Sequence, residues 1–269
     1  MKIGKGWLRG LSAVLLMMAG REVNVFGQTP LQNARQVIVV TTADWNAVPG
    51  TLQRYARRTR RSAWQPVGAA IPIVVGRTGL AWGDGLHGAP SALAQGNDPL
   101  KREGDGKSPA GAFRLNAAFG YLPKTKAGRL NLPYIQATAT LQCVDDAQSA
   151  YYNRVVDRAQ VRQPDWQSNE DMLRKDDLYR WGVVVEHNAG KVGLSGAKAK
   201  PSGGSCIFLH IWGGPQSSTS GCTAMEPQLL EQVMRWLDAR QQPVLVQLPQ
   251  SAYERLQQAW GLPQQRRTR

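Results

Sequence analysis

The amino-acid sequence predicts one mostly-β (α+β) domain with a few helices. Between about residues 70 and 215, short β-branched segments alternate with glycine and proline turns, which is typical of sheets with tight connections. A clear amphipathic helix pattern appears only over residues 226–241. Hydrophobic residues make up 42% of the 269 residues, which is enough to bury a core. No repeat or heptad run indicates a solenoid or a coiled coil.

The N-terminus has the pattern of a secretory signal peptide. Lys2, Lys5 and Arg9 precede an apolar stretch over residues 11–20, which is shorter than the roughly 20 residues that cross a bilayer. We therefore predict a signal peptide over residues 1–27 and export to the periplasm or cell envelope. The mature protein is expected to have no transmembrane span. A buried N-terminal helix is the alternative interpretation.

The chain is strongly basic. It carries 33 basic and 19 acidic residues, a formal net charge of +14 at pH 7. Such a charge favours a polyanionic partner, which charge alone does not identify. Export argues against nucleic acid and favours an acidic polymer of the envelope.

The remaining elements are predicted in chain order. Residues 28–69 form an N-terminal extension, with a strand over 35–41 and a short basic helix over Leu52–Arg60. The main domain covers residues 70–249, and residues 250–269 form a C-terminal helix, over 251–260, and a basic tail. The predicted strands of the main domain cover residues 70–76, 112–115, 181–186, 205–212 and 244–248. The helix predicted over 226–241 has Pro227 in its first turn and is stopped by Pro243, as the preferences of proline favour.

Two glycine motifs are interpreted as turns. Residues 83–88 match G-x-G-x-x-G, but a dinucleotide site needs this loop to open a helix within a βαβ unit, and Pro90 follows instead. Residues 106–108 resemble the end of a P-loop, yet the earlier glycine of that motif is missing and Pro109 follows. The three histidines lack metal-ligand spacing. The sequence therefore predicts no cofactor and no metal site.

One cysteine and one histidine suggest nucleophilic catalysis. His210 ends an apolar strand, and Cys222 follows it by 12 positions, just before a predicted helix. The thiolate is the reactive form of cysteine, and an imidazole and a helix N-terminus both favour it. Gly221 gives backbone freedom beside the sulfur, so amide N–H groups there could bind an oxyanion. A buried cysteine and an unrelated strand histidine remain the alternative.

These residues resemble a known family. Residues 206–212 (CIFLHIW) and 218–225 (STSGCTAM) are similar to the histidine and S/T-x-G-C signature of the L,D-transpeptidases, the YkuD-like cysteine enzymes that remodel peptidoglycan. The resemblance covers roughly residues 70–248. Further segments that resemble one branch of that family are residues 79–83, 103–113, 143–146, 151–154 and 179–186.

The resemblance implies a β-sandwich catalytic domain, with a helix after the nucleophile loop, that acts on peptidoglycan stem peptides. It implies Cys222 as nucleophile, His210 as general base and acid, and Gly221 as a backbone oxyanion donor. His187, which ends another apolar strand, is the rival base. The residues expected to bind substrate are Trp212, Thr219 and Ser220. The chemistry is acyl transfer through a thioester, and the alternatives are an L,D-carboxypeptidase that uses water and a non-catalytic wall-binding module.

The sequence departs from the better-known S-H-G-C signature, which continues with an apolar residue, arginine and methionine. Ser220 stands in place of the second histidine, and Ala224 stands in place of the arginine. Both departures concern how the substrate is held. Other candidates for the groove are the cations Arg77, Lys107 and Arg114 and the aromatic residues Trp82, Tyr151, Trp181 and Trp212. A surface role for the cations and core packing for the aromatic residues are the alternatives.

The three cysteines allow one disulfide and one free thiol. Cys143 and Cys206 both lie beside predicted strands of an exported domain, and pairing them leaves Cys222 reduced. We predict this disulfide. Two separate buried thiols are the alternative.

Overall fold

The computed structural model describes residues 29–189 and 199–265. The predicted signal peptide over residues 1–27 lies outside the described residues, as does the end of the basic tail. Within the described ranges, no helix has both the length and the apolar character needed to cross a membrane.

Thirteen strands and two α-helices make up the regular structure of the described residues. The strands are β1 Gln36–Thr42, β2 Pro49–Ala56, β3 Gln65–Val74, β4 Leu80–Trp82, β5 Ser108–Gly120, β6 Tyr134–Gln136, β7 Leu141–Val144, β8 Val155–Asp157, β9 Asn169–Asp171, β10 Trp181–Val185, β11 Phe208–Ile211, β12 Thr223–Met225 and β13 Val244–Pro249. The helices are α1 Pro227–Trp236 and α2 Gln250–Trp260. The mostly-β prediction is confirmed.

The main sheet closes on itself through one long strand. The hydrogen-bonded order is β10-β11-β12-β3-β2-β1-β13-β5-β4. Strand β5, next to last in this order, pairs with β13 over Gly111–Arg114 and with the first strand, β10, over Leu115–Gly120, which closes the path from β10 to β5. Closure leaves few open edges and gives the curved, two-layered sheet that encloses the core.

The centre of the core is formed by strands that are apolar on both faces. Every residue of β13 is buried, and β1 is buried except at Thr41, so both strands read as continuous hydrophobic runs. Helix α2 packs against β1 and β13, and helix α1 packs against β10 and β11. The helix after β12 therefore covers the strands that carry the candidate site.

The N-terminal segment differs from the prediction. The basic helix expected over Leu52–Arg60 is wrong, because residues 49–56 form strand β2, paired with β1 on one side and β3 on the other. A short helix is marginal without an apolar face to bury, whereas the ladder buries Leu52 and Tyr55. The predicted boundary between residues 69 and 70 falls inside β3.

Helix α1 is shorter than predicted. It ends at Trp236 instead of residue 241, because Leu237 is extended and the Asp238 side chain caps a separate 3₁₀ turn over Ala239–Gln241. The first glycine motif forms a turn, as predicted, whereas the turn predicted over residues 106–108 lies just before them, over residues 103–105. Gly85 bridges to Gly88 across the first motif, and the second motif leads directly into strand β5.

A small second sheet, in the order β8-β7-β9, is tied to the main sheet by a disulfide. Cys143 in β7 is bonded to Cys206, with 5.9 Å between their Cα atoms. The predicted pairing is confirmed, and Cys222 is a buried, free thiol. The disulfide fixes the backbone just before β11, the strand of His210.

Candidate active site

Strand register brings Cys222 and His210 together. Strands β11 and β12 are parallel, with Leu209 opposite Thr223, so Phe208 lies beside Cys222 and its N–H contacts the Cys222 Sγ at 3.3 Å. Side chains two residues apart share a face of a sheet, which places His210 on the face of Phe208. Cys222 and His210 both line one cavity of about 570 Å³.

The backbone of the nucleophile loop is held by two hydroxyl groups. Ser108 Oγ and Thr219 Oγ1 donate to the Cys222 carbonyl oxygen at 2.8 and 2.6 Å. The Thr219 hydroxyl also accepts a hydrogen bond from the Gly221 N–H at 3.1 Å. The amide expected as an oxyanion donor therefore already has a partner within the loop.

Burial keeps both members of the candidate pair neutral. It raises the pKa of the Cys222 thiol, and the nearby Glu170 carboxylate raises it further. Burial also lowers the pKa of His210 to about 4. The Nδ1 of His210 lies 2.7 Å from the Ile211 carbonyl oxygen, which only accepts hydrogen bonds, so Nδ1 carries the proton. The Nε2 of the neutral ring is then free to accept a proton.

A tyrosine and a glutamate that the sequence analysis missed complete the wall of the cavity. Tyr179 donates its hydroxyl to Glu170 at 2.6 Å, and its ring packs edge-on against the His210 ring with 5.2 Å between centroids. Against the effect of burial, the nearby Tyr179 hydroxyl lowers the pKa of the thiol. Tyr179 begins one of the segments that resemble the family, but no sequence spacing connects it to Cys222.

The cavity carries charges of both signs. Its cations are Arg77, Lys101 and Arg174, and its carboxylates are Glu103, Asp145 and Glu170. Lys101 pairs with Asp105 at 2.6 Å, and Arg174 pairs with Asp176. Arg77 is exposed, and among the described residues no carboxylate lies within 4.0 Å of it. The Oδ1 atom of Asp145 is buried without a hydrogen-bond partner.

Two of the three predicted substrate-binding residues line the cavity, and the third does not. Thr219 and Ser220 line the cavity, whereas Trp212 is not among its lining residues. The Thr219 hydroxyl is used within the loop, and Ser220 makes no hydrogen bond to the rest of the described chain. Ser220 is also exposed, and it is one of the residues that line the cavity.

The other groove candidates, apart from Arg77, lie elsewhere. Trp82 and Trp181 are buried in the core, and Tyr151 packs against Trp166 with 5.3 Å between ring centroids. Lys107 donates to the Thr78 carbonyl, and Arg114 lies 3.8 Å from Glu186. Core packing and local pairing use these side chains, and none of them lines the cavity of Cys222.

The rival base His187 is buried away from this cavity. Its Nε2 lies 3.0 Å from the Gly203 carbonyl oxygen, and its ring packs edge-on against Phe113. His187 is absent from the residues that line the cavity of Cys222.

A free thiol and a neutral imidazole line one cavity, and a carbonyl orients the imidazole; nucleophilic cysteine catalysis requires these groups. A family model described as YkuD, L,D-transpeptidase catalytic domain, matches residues 51–246. The chain therefore belongs to the YkuD family, whose members are cysteine-dependent enzymes that act on peptidoglycan. The match begins inside β2, within the predicted N-terminal extension. Neither a curated protein nor a solved structure matches the chain.

Proposed function

We propose that the chain is an L,D-transpeptidase that joins peptidoglycan stem peptides through a thioester at Cys222. The observation that carries this proposal is the free Cys222 thiol on the wall of a cavity of about 570 Å³ that the neutral His210 also lines. Export to the periplasm or cell envelope is part of the proposal, because the family acts on the cell wall.

In the proposed reaction, His210 Nε2 takes the thiol proton as Cys222 Sγ attacks a peptide carbonyl carbon. The bond attacked joins the L-centre of the third stem residue, a diamino acid, to D-alanine. The tetrahedral intermediate collapses to a thioester, and the leaving D-alanine nitrogen takes the proton from His210. An amine of a second stem then attacks the thioester carbonyl and gives a proton to His210. The Cys222 thiolate leaves and takes that proton back, and the new amide bond between the two stems is a 3→3 crosslink.

Proton transfer is expected to accompany substrate binding rather than to precede it. A raised thiol pKa and a histidine pKa of about 4 disfavour a resting thiolate–imidazolium pair. The developing oxyanion lies at the Ser220–Cys222 loop in this proposal. Ser220 has no other partner, and the Gly221 amide contributes when its hydrogen bond to Thr219 gives way to the charged oxygen.

Arg77 is proposed to bind the terminal carboxylate of the donor stem. The family arginine has no room at Ala224, which is fully buried between strands, with His210 and Val74 as its partners in the two ladders. The Arg77 guanidinium reaches the same cavity from the loop after β3 and has no carboxylate partner of its own. A guanidinium binds a carboxylate with two parallel hydrogen bonds, which also orients the donor.

The carboxylates of the cavity favour an amine over water as acceptor. Glu103, Asp145 and Glu170 line the same cavity as the nucleophile, and Asp145 keeps an unpaired buried oxygen. A cationic ammonium group is attracted to this wall, where it gives its extra proton to a carboxylate and attacks as the neutral amine, whereas water gains no such attraction. This is why transfer is proposed ahead of the L,D-carboxypeptidase reaction.

The test is incubation of the purified chain with disaccharide-tetrapeptide muropeptides, with and without an added free amine, and mass analysis of the products. We expect D-alanine release, a 3→3 dimer, and incorporation of the added amine. Cys222→Ser is the matched control and should form neither the dimer nor an acyl adduct.

Two outcomes would contradict the proposal. Equal amounts of tripeptide and D-alanine, without dimer or amine incorporation, would make the chain a carboxypeptidase. Binding of muropeptides with neither product nor a thioester adduct by intact mass would make it a binding module.

A further inference from the structure

Arginine residues cluster at the hairpin between β2 and β3. The connection contains Arg57, Arg58, Thr59, Arg60 and Arg61. Arg58, Arg60 and Arg61, together with Arg35 and Arg240, line a shallow depression of about 560 Å³, here named the arginine depression.

Most of this charge is uncompensated. Arg240 pairs with Asp238 at 2.7 Å, but none of the other four guanidinium groups has a carboxylate within 4.0 Å in the part of the chain that is described. Burial, followed by the charge of Arg60, lowers the pKa of the adjacent Arg57. Like charges held this close repel one another and destabilise the fold. The cluster is therefore suited to an anionic ligand rather than to stability.

The arginine depression is remote from the thiol. It lies at the Gln65 end of β3, whereas Val74 at the other end pairs with Ala224, two residues after Cys222. A strand of ten residues spans about 30 Å. No residue of the depression lines the cavity of Cys222, so the two sites are separate.

The chemistry of the cluster fits phosphate groups. Guanidinium forks bind phosphate oxygens with paired hydrogen bonds. Arg60 and Arg61 also line a neighbouring depression of about 420 Å³. The tip of the hairpin therefore lies between two depressions that are both lined by arginine side chains. Repeated, closely spaced phosphates match such a surface better than a single anion does.

The surroundings favour lipid headgroups over a sugar polymer. Sugar rings stack on exposed aromatic faces, but Arg57 covers the one aromatic ring of the connection between β2 and β3, with its guanidinium carbon 4.3 Å from the Trp64 ring centre. Thr29 and Gly261, near the two ends of the described chain, line the neighbouring depression as well. Trp260 also lines that depression but is only 3% exposed, so this face presents charge without an exposed platform for sugars.

We propose that the arginine depression binds the phosphate headgroups of an anionic phospholipid bilayer. A bilayer bound at the arginine depression would lie at the Gln65 end of β3, and the Cys222 cavity lies at the other end of this strand, about 30 Å away. This inference does not depend on the catalytic proposal, because it uses different residues and a different readout.

The test is sedimentation of the chain, lacking residues 1–27, with vesicles. We expect binding to phosphatidylglycerol-containing vesicles, loss of binding as salt screens the charges, and little binding to pure phosphatidylcholine. The triple variant Arg58→Gln, Arg60→Gln, Arg61→Gln should lower partitioning roughly a hundredfold, because each cation near an anionic surface contributes about fivefold.

The matched control is Arg154→Gln, Arg158→Gln, Arg162→Gln, which removes three exposed arginines around the small sheet that also lack a carboxylate partner. It should bind vesicles within about threefold of the parent. Equal losses in both triple variants would reduce the effect to net charge and overturn the proposal. Binding to isolated cell-wall polymer, without binding to the anionic vesicles, would overturn it in favour of a polymer.

Competition with inorganic phosphate distinguishes binding to a bilayer surface from binding of a single free phosphate ion. Millimolar phosphate at constant ionic strength should leave vesicle binding within about twofold, since a bilayer offers many phosphates at once. Complete displacement by inorganic phosphate would mean that the depression is a site for a free anion, which contradicts the bilayer proposal.

Discussion

His210 lies in β11 and His187 follows its paired strand β10, and the two share almost every local property, yet only His210 lines the cavity of Cys222. Both are buried, and burial lowers the pKa of each to about 4. Each places one ring nitrogen against a backbone carbonyl, at 2.7 Å for His210 and 3.0 Å for His187. The difference is the register of β11 with β12, which sets His210 on the face of the thiol.

The surroundings of His187 fit a packing role. A Cβ on Gly83 would come within 2.8 Å of its ring, so the glycine is required to make room for it. Its Nδ1 is buried without a hydrogen-bond partner, so this nitrogen is unpaired like Nε2 of His210, but His187 does not line the Cys222 cavity. The comparison teaches that burial, a lowered pKa and a carbonyl partner do not make a base. Position relative to the nucleophile does.

Removing the nucleophile should have the largest effect. Cys222→Ser replaces a thiol with a much weaker nucleophile, and we expect the rate of D-alanine release to fall by about 10⁴-fold or more. The melting temperature and circular dichroism should remain those of the parent. A variant that keeps the parent rate would contradict Cys222 as the nucleophile, and the comparison of the two histidines would then have no reference point.

The two histidines can be compared directly with matched substitutions. His210→Gln should lower kcat/KM by about 10³-fold, because it removes the proton acceptor. His187→Gln should keep kcat/KM within about tenfold and lose about 1–3 kcal/mol of unfolding free energy, as a buried contact is replaced. The measurements are initial rates and urea denaturation. The reverse pattern would move the base to His187.

Tyr179 gives a smaller and more specific test. Tyr179→Phe keeps the ring against His210 but removes the hydroxyl that binds Glu170 near the thiol, and we expect a loss of about tenfold in kcat/KM. The thiol pKa should rise, which is measured by the pH dependence of iodoacetamide alkylation. An unchanged alkylation profile would show that Tyr179 acts by packing alone.

Breaking the disulfide should affect both histidine regions together. Gly203, which contacts His187, precedes Cys206 closely, and the Cys206 carbonyl contacts the Cys222 thiol. The bond closes a loop with a sequence separation of 63 residues, so the chain-entropy model gives about 4 kcal/mol of stabilisation.

The disulfide test compares Cys143→Ser, Cys206→Ser with the oxidised parent. We expect a lower urea midpoint and lower activity, although Cys222 is untouched. Thiol counting on the denatured, unreduced parent should give one free thiol. Three free thiols would contradict the bond.

The pH dependence should reflect burial rather than ordinary histidine titration. With a pKa of about 4, His210 stays neutral and able to accept a proton down to about pH 4. We therefore expect the acid limb of kcat/KM, measured over times shorter than unfolding, near pH 4. An acid limb near pH 6.5 would mean that the histidine is solvated during turnover.

The free energy of unfolding should also depend on pH through the buried histidines. Folding lowers the pKa of His87, His187 and His210 to about 4, so the unfolded state binds more protons between pH 6.5 and 4. The free energy of unfolding should decrease as pH falls through this window, by up to about 3 kcal/mol for each histidine. His187→Gln should make the decrease smaller, and an equal slope in that variant would contradict the assignment.

The sequence carries the candidate nucleophile and base because their signals are local. The apolar strand ending at His210, the glycine before Cys222 and the following helix can all be recognised within twenty residues. The confirmed strands β1 and β13 and helix α2 are local in the same sense. The helix predicted over Leu52–Arg60 failed because that segment has no strong periodicity, so its neighbours β1 and β3 decided its structure.

What the sequence by itself determined is the β-rich class, the family resemblance, and the chemistry that a cysteine and a histidine at this spacing can perform. Only the tertiary structure decided that Tyr179 and Glu170 adjoin the thiol, that Trp212 lies off the cavity, and that the Gly221 amide has a partner. The physical reason is distance along the chain. Contacts between residues far apart in sequence depend on strand register and sheet closure, and no pattern within a single segment encodes them.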